Sequence, residues 1–167
     1  MEVLNINEIF KRRSIREYTD KHISDEDIAL IIKAGMNAPS ANNLKPISYL
    51  VIDDRQKLEY LSIVNQHGKM LKDASHAIIV CAKETSAFWS QDAAAASQNI
   101  LLEATSLGIG SCWLGLYPKE TESVIKEYFR IPDDIRAFSI ISLGYPLKVK
   151  SENNFYDKES IHLNEWR

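Results

Sequence analysis

Apolar and polar positions alternate along the 167-residue chain in two recurring patterns. Apolar residues spaced by three or four positions mark one face of a helix, and short unbroken apolar runs mark strands covered on both sides. Asn5 followed by Glu8 has the form of an N-cap with a capping-box partner, and Ile6, Ile9 and Phe10 share a helical face behind it. The spacing predicts a short helix ending near Arg13. Ser24 and Asp27 repeat the signature ahead of Ile28, Ile31, Ile32 and Gly35; this helix must stop before Ala38-Pro39, because proline disfavours helical backbone in the residue before it. PISYLVID (46–53) reads as a strand and DRQKLEYLSIV (54–64) as a helix burying Leu58, Leu61 and, less regularly, Val64. HAIIVCAK (76–83) reads as a buried strand, and SQDAAAASQNILLEATSLG (90–108) as the longest helix, closed by Gly108. GSCWLGLY (110–117) is a third strand, KETESVIKEYFRI (119–131) a helix carrying Val124, Ile125, Tyr128 and Phe129, and IRAFSIISLGY (135–145) a fourth strand.

Strands alternating with helices around one sheet predict an α/β or α+β domain spanning residues 1–167. The small residues of the 90–108 helix would let another element approach closely. The chain after Pro146 is different. Residues 147–167 are polar and too poor in apolar side chains to form a core, yet they end in Ile161, Leu163 and Trp166. Such a tail either frays or docks on a surface elsewhere, for example on a second subunit.

Charge narrows the partners. A net charge of −3 argues against a general nucleic-acid binder, so the basic cluster in KRRSIREY (11–18) is local and calls for a local anion. No apolar run reaches the roughly 18 residues of a membrane span. MEVLNINEIF is acidic and polar, unlike a signal peptide, and the expected location is the cytoplasm. Cys81 and Cys112 form no CxxC pair, which suits a reducing compartment, and the four histidines form no HExxH, so no metal is expected.

The arginines admit two readings. Cations at a helix C-terminus complement its dipole by roughly 0.3–1 kcal/mol each, which would account for Arg12 and Arg13. In an extended chain, however, Arg-x-Ser-x-Arg puts alternate side chains on one side, where guanidinium forks and a hydroxyl match a phosphate. The residue types fit both. Gly108, Gly110 and Gly115 follow a helix and enter a strand, the reverse of a dinucleotide-binding loop. Gly108 suits a helix cap, and Gly115 suits a strand approached closely by a ligand. NAPSANNLKPISY (37–49) is a polar connection whose serine, amides and lysine could also hydrogen-bond a flat heterocycle. No serine or cysteine has a nucleophile signature, so any chemistry falls to a cofactor.

Taken together, RRSIREY, APSANNLKPISYLVI, KMLKDASHAIIVCAK, DAAAASQNILLEATSLGIGSCWLG, SLGYP and FYDKESIHLNEW, in this order, resemble the FMN-dependent nitroreductases. The resemblance implies an α+β fold with a central mixed, mainly antiparallel sheet flanked by helices. It also implies a homodimer with FMN at the subunit interface, and a C-terminal segment, 147–167, that crosses to the partner. Arg12, Arg13 and Ser14 then match phosphate ligands, and Arg16 a basic position at the flavin pyrimidine edge. Ser40 and Asn43 match partner-chain contacts, and Lys45 stands where the family commonly has a glutamine. Asn65 or Gln66 matches a polar neighbour of the flavin, Lys69 a basic one, Leu114 and Gly115 the backbone beside N5 and O4, and Lys148 and Lys150 a late basic pair at the phosphate. The implied activity is reduction of bound FMN by NADH or NADPH, then of a nitroaromatic, quinone or similar small acceptor, by a ping-pong route. The same fold also serves non-turnover flavin binding, dehalogenation and dehydrogenation, and those alternatives stay open at this point.

Overall fold

A computed structural model describes residues 7–84, 87–116 and 120–166. The elements are α1 (Glu8–Lys11), α2 (Asp25–Met36), β1 (Ile47–Ile52), α3 (Arg55–Val64), β2 (His76–Lys83), α4 (Trp89–Ser106), β3 (Gly110–Gly115), α5 (Glu120–Phe129) and β4 (Ile135–Gly144). Four strands form one sheet in the order β1-β2-β4-β3, and every neighbouring pair is antiparallel. The parallel component of the expected mixed sheet is a single bridge, Ser14 to Ser111.

The unbroken apolar run of β2 has a simple cause: both of its faces are covered. Ala77, Ile79 and Cys81 point to a core shared with Leu58 and Leu61 of α3 and Ile125 of α5. Ile78, Val80 and Ala82 point to a second core with Ile28 and Ile31 of α2 and Ile100 and Leu101 of α4. Each such aliphatic side chain, fully buried, stabilises the fold by roughly 1.5–3 kcal/mol. A bulge lets β4 serve both layers: Val80 pairs with Ser139 but Cys81 with Ala137, and the skipped Phe138 packs on the α4 side.

Local signals explain most boundaries. The Ser24 hydroxyl accepts the Asp27 N–H at 3.2 Å and starts α2. Gly108, at φ 71°, ends α4 in a Schellman motif, with Ile109 N–H bonded to Ala104 O and Gly108 N–H to Thr105 O. Two expectations need correcting. First, α1 starts at Glu8, with Asn7 rather than Asn5 in the cap position and no side-chain cap bond, and it stops at Lys11 with none of its residues buried. Asn5 and Ile6 lie outside the described residues. Second, Val124 and Tyr128 of α5 are exposed while Glu122 and Ile125 face inward. The close approach expected at the small face of α4 is made by α2 of the same chain. Ala93, Ala96 and Ala104 pack in the core, the Ser97 hydroxyl meets that of Ser139 at 3.1 Å, and Gly35 of α2 comes so close that an added Cβ would lie 3.0 Å from Ile100. Tyr117 and Lys119, at the predicted strand and helix ends, lie outside the described residues. No helix among the described residues is long and apolar enough to cross a membrane.

Candidate functional site

The site is organised by a strap, residues 12–19, that runs in extended conformation along the outer edge of β3. Arg12, at φ −58° and ψ 124°, has already left the helix. Ile15 N–H donates to Ser111 O at 2.9 Å, and Thr19 N–H to Tyr145 O at 2.8 Å. The Tyr18 hydroxyl bonds to Ser142 Oγ at 2.7 Å and to Ile15 O at 2.8 Å, and burial raises its pKa. The strap fits only because of two glycines. A Cβ on Gly110 would come within 2.8 Å of Ile15, and one on Gly144 within 2.7 Å of the Tyr18 ring.

The extended backbone divides the arginines. Arg12, Ser14 and Arg16 act, with Lys150, on the buried Cys112 thiol: burial raises its pKa, and the field of Arg16, Lys150 and Arg12 and a hydrogen bond from Ser14 oppose the rise. The Ser14–Ser111 bridge and the bond from Lys150 Nζ to Ser14 O set Ser14 and Lys150 beside β3, and Arg12 and Arg16 occupy the alternate strap positions on either side of Ser14. Arg13 faces the other way and donates to Ser151 O, and with Lys11 and Ile15 it lines a groove of about 370 Å³ that continues to Val149 and Lys150. Lys150 reaches back across the strap to Ser14 O at 2.8 Å, while Lys148 is exposed. Further bonds stitch the tail to the strap, Leu147 N–H to Glu17 O, and to α1, Asn153 N–H to Phe10 O.

Backbone direction along β3 decides what its far end offers. Ser111 O points out to Ile15, whereas Leu116 N–H points in to Phe138 of β4. Since these directions alternate along a strand, Leu114 N–H belongs to the ladder and Gly115 N–H lies on the open edge. Among the described residues nothing lies within 4 Å of where a Gly115 Cβ would sit, so the backbone there is open to them.

The remaining predicted residues sit apart. Asn65 is buried and its carbonyl Oδ1 accepts from His67 N–H at 3.0 Å, shaping the turn after α3; Gln66 and Lys69 are exposed on that turn. Met70 and Leu71, which follow, pack in the same core as Ile15, Tyr18 and Cys112. Ser40, Asn43 and Lys45 lie in the connection leading into β1, the opposite edge of the sheet from β3. Three strand spacings, roughly 14 Å, separate those edges, so one chain does not bring the Ser40–Lys45 loop to Gly115. Asp92 escaped the sequence reading. It is 6% exposed in the first turn of α4, and its Oδ1 accepts from Ala41 N–H at 3.0 Å. The available signal was a carboxylate among alanines on a helix face that must be buried, where a charge needs a partner.

The residues beside β3 fit a phosphorylated, planar cofactor. Three cations and a hydroxyl lie along the strap and the tail bonded to it, and a side-chain-free stretch with an outward N–H lies further along the same edge. Comparison with known proteins agrees. The family model described as "Putative TM nitroreductase" matches residues 5–166. A "Putative NADH dehydrogenase/NAD(P)H nitroreductase" of Archaeoglobus fulgidus is 46% identical over 170 residues, covering 95% of this chain and 96% of that protein. An "FMN-dependent Nitroreductase" of Clostridium difficile R20291 has a solved structure that superposes with a TM-score of 0.92 at 34% identity, covering 96% of this chain and 99% of that one. A "putative nitroreductase in complex with fmn" of Desulfovibrio desulfuricans superposes with a TM-score of 0.86 at 30% identity, over 100% of both chains. The fold and the match along nearly the whole sequence agree, and the chain belongs to the nitroreductase family.

Proposed function

We propose that this protein is an NAD(P)H-dependent FMN oxidoreductase that works as a homodimer. The observation that carries the reading is the strap bridged to β3, with Arg12, Ser14 and Arg16 at alternate positions and Lys150 bonded to Ser14 O, along an edge that is open at Gly115 among the described residues. Arg12, Ser14 and Lys150 would hold the phosphate, because charge-assisted hydrogen bonds from guanidinium and ammonium groups suit its oxygens. Gly115 would accept a ring against its backbone and offer its N–H to an acceptor on the ring edge. Arg16 would favour the more negative redox state of a ring beside it. When bound, FMN supplies hydride acceptance from NADH or NADPH and electron delivery to an electron-poor acceptor such as a nitroaromatic or quinone. Leu114 and the strap exclude water from the inner side of the site, since Leu114, Ile15 and Tyr18 are all buried.

The dimer is supported by two features. The Ser40–Lys45 loop lies too far from β3 to serve the site of its own chain. The tail also presents Phe155 at 82% exposure, Leu163 at 80% and Trp166 at 87%, and it is bonded through Asn153 N–H to the carbonyl of Phe10, which with Ile9 is half exposed. Large apolar side chains grouped in this way mark an interaction surface. In the proposed dimer, segment 147–167 covers the partner, and Ser40, Asn43 and Lys45 reach the partner's cofactor.

Anaerobic stopped-flow tests the proposal. The purified protein, loaded with FMN, is expected to bleach with NADH or NADPH and to recover its colour with a quinone, giving parallel double-reciprocal plots in steady state. Flavin that binds but stays yellow with both donors would reduce the reading to a flavin-binding module. No spectral change on adding FMN would remove it altogether. A monomer on sizing with FMN bound would overturn the dimer.

A further inference from the structure

We infer that Asp92 is a positioning residue, which holds the Ser40–Lys45 loop in the conformation that presents Ser40, Asn43 and Lys45. The inference rests on the reading of that loop as part of the cofactor site, and it starts from backbone strain. Asn42, Asn43 and Lys45 have φ of 53°, 56° and 48°, in the left-handed region that side-chain-bearing residues seldom adopt. Asparagine tolerates this region; lysine does so poorly. Three such residues within four positions persist only where neighbours over-determine them.

The restraints are few and can be named. Ser40 Oγ accepts from Lys45 N–H at 2.9 Å, and Ser40 O accepts from Asn43 N–H at 2.9 Å, but both lie within the loop and move with it. Asp92 Oδ1, accepting from Ala41 N–H at 3.0 Å, ties the loop to a long helix rooted in the core. The carboxyl group is buried, and among the described residues its second oxygen has no hydrogen-bond partner. A buried charge that makes one bond is retained for that bond rather than for its own stability.

A cavity of about 270 Å³ lies behind the loop, lined by Gly35, Pro39, Ser40, Lys45, Tyr49 and Asp92. Tyr49 lines this space; its hydroxyl is also without a partner among the described residues, and burial pushes its pKa up to about 12, so it stays neutral. The void gives the loop somewhere to collapse. Without the Asp92 anchor, the strained residues can relax inward and carry Ser40 and Lys45 away from the surface they present.

The test has two arms. In flavin-free wild type, the Ala41 and Lys45 amides are expected to exchange hydrogen at least a hundredfold more slowly than the unrestrained Asn42 amide. In Asp92→Ala, protection across residues 38–46 is lost while β2 and β4 stay protected. Asp92→Asn keeps an acceptor oxygen and should retain most of the protection. In the second arm, FMN titration should show affinity falling about tenfold or more in Asp92→Ala, within about threefold of wild type in Asp92→Asn, and unchanged in Tyr49→Phe, which leaves the anchor intact. An Ala41 amide exchanging at the unstructured rate in wild type would overturn the anchor even if Asp92→Ala does not fold. Lost protection with unchanged FMN affinity would overturn the link from loop shape to site. If wild type binds no FMN at all, the exchange arm still decides the anchor, and the failure belongs to the cofactor reading.

Discussion

Gly110 and Gly115 bracket β3 and share an edge, yet they are glycines for opposite reasons. At the Gly110 end the backbone is crowded: Ile15 sits where a side chain would begin, Tyr18 does the same to Gly144 on the paired strand, and the strap is bonded to both β3 and the tail. At the Gly115 end there is space among the described residues, and the backbone N–H points outward. One end uses glycine so that the protein can close on itself. The other uses it so that something else can approach. Sequence spacing cannot tell these cases apart, because each is defined by atoms far away in the chain.

The largest expected effect comes from filling the closed end. Gly110→Ala forces a methyl group to within 2.8 Å of Ile15, and overpacking of this kind costs about 1–3 kcal/mol. The denaturant midpoint should fall accordingly, and FMN binding with it, since the strap carries the cations. Gly115→Ala should leave the unfolding free energy within about 0.5 kcal/mol of wild type, as surface changes usually do, while weakening FMN binding. If both variants lose stability equally, the contrast between the two ends is wrong.

The second test separates the two sides of the strap. Arg12→Ala removes a charged partner from the cluster at Cys112, and hydrogen bonds to charged groups are worth about 1.5–3 kcal/mol, so FMN affinity should drop by more than tenfold with little change in the apo-protein's Tm. Arg13→Ala instead frees Ser151 O. FMN affinity should change by less than about threefold, while proteolysis of residues 147–166 accelerates. Equal losses of affinity in the two variants would return Arg13 to the phosphate site, where the family resemblance had put it alongside Arg12.

These cases show what was legible in the sequence. The strands, the long helix and its glycine cap follow from periodicity and local chemistry, and appear at nearly the expected residues. The motif Arg12-Arg13-Ser14-x-Arg16 fits a helix-end charge effect and an anion site equally, and the structure shows only that Arg12 has already left the helix. What stayed hidden was the partner of each alternate side: Arg13 meets Ser151, 138 residues away. Asp92 was passed over because its partner, the Ala41 N–H, belongs to backbone and carries no signature. The expected burial of Ile9, Phe10 and Tyr128 failed for a related reason, since periodicity reports an apolar face but not which chain covers it.

The smallest effect sharpens the comparison through pH. The closed end continues into His76, which begins β2 opposite Leu143, one residue from Gly144. Its ring lies 4.8 Å from that of His22, which follows the strap, and its Nδ1 is 2.9 Å from the Ser75 hydroxyl that accepts from Ile23 N–H. Burial, and secondarily the nearby His22, lower the His76 pKa below its usual value of 6.5, while Asp53 and Asp25 pull weakly the other way. A base whose folded pKa is lowered binds fewer protons in the folded state than in the unfolded one. Stability is therefore fully present above about pH 6.5, falls as pH drops from there towards the folded pKa, and levels off below it. Unfolding free energies measured between pH 5 and 8 should show this slope in wild type and a shallower one in His76→Gln. If the pairing of strap and sheet is what His76 protects, hydrogen exchange at Ile15, Thr19 and Ile23 should quicken at pH 5, relative to the intrinsic rate, more than exchange at Leu116, beyond the open end. Uniform quickening would mean that the two ends of the edge unfold as one unit, and the division between a closed end and an open one would then describe packing but not stability.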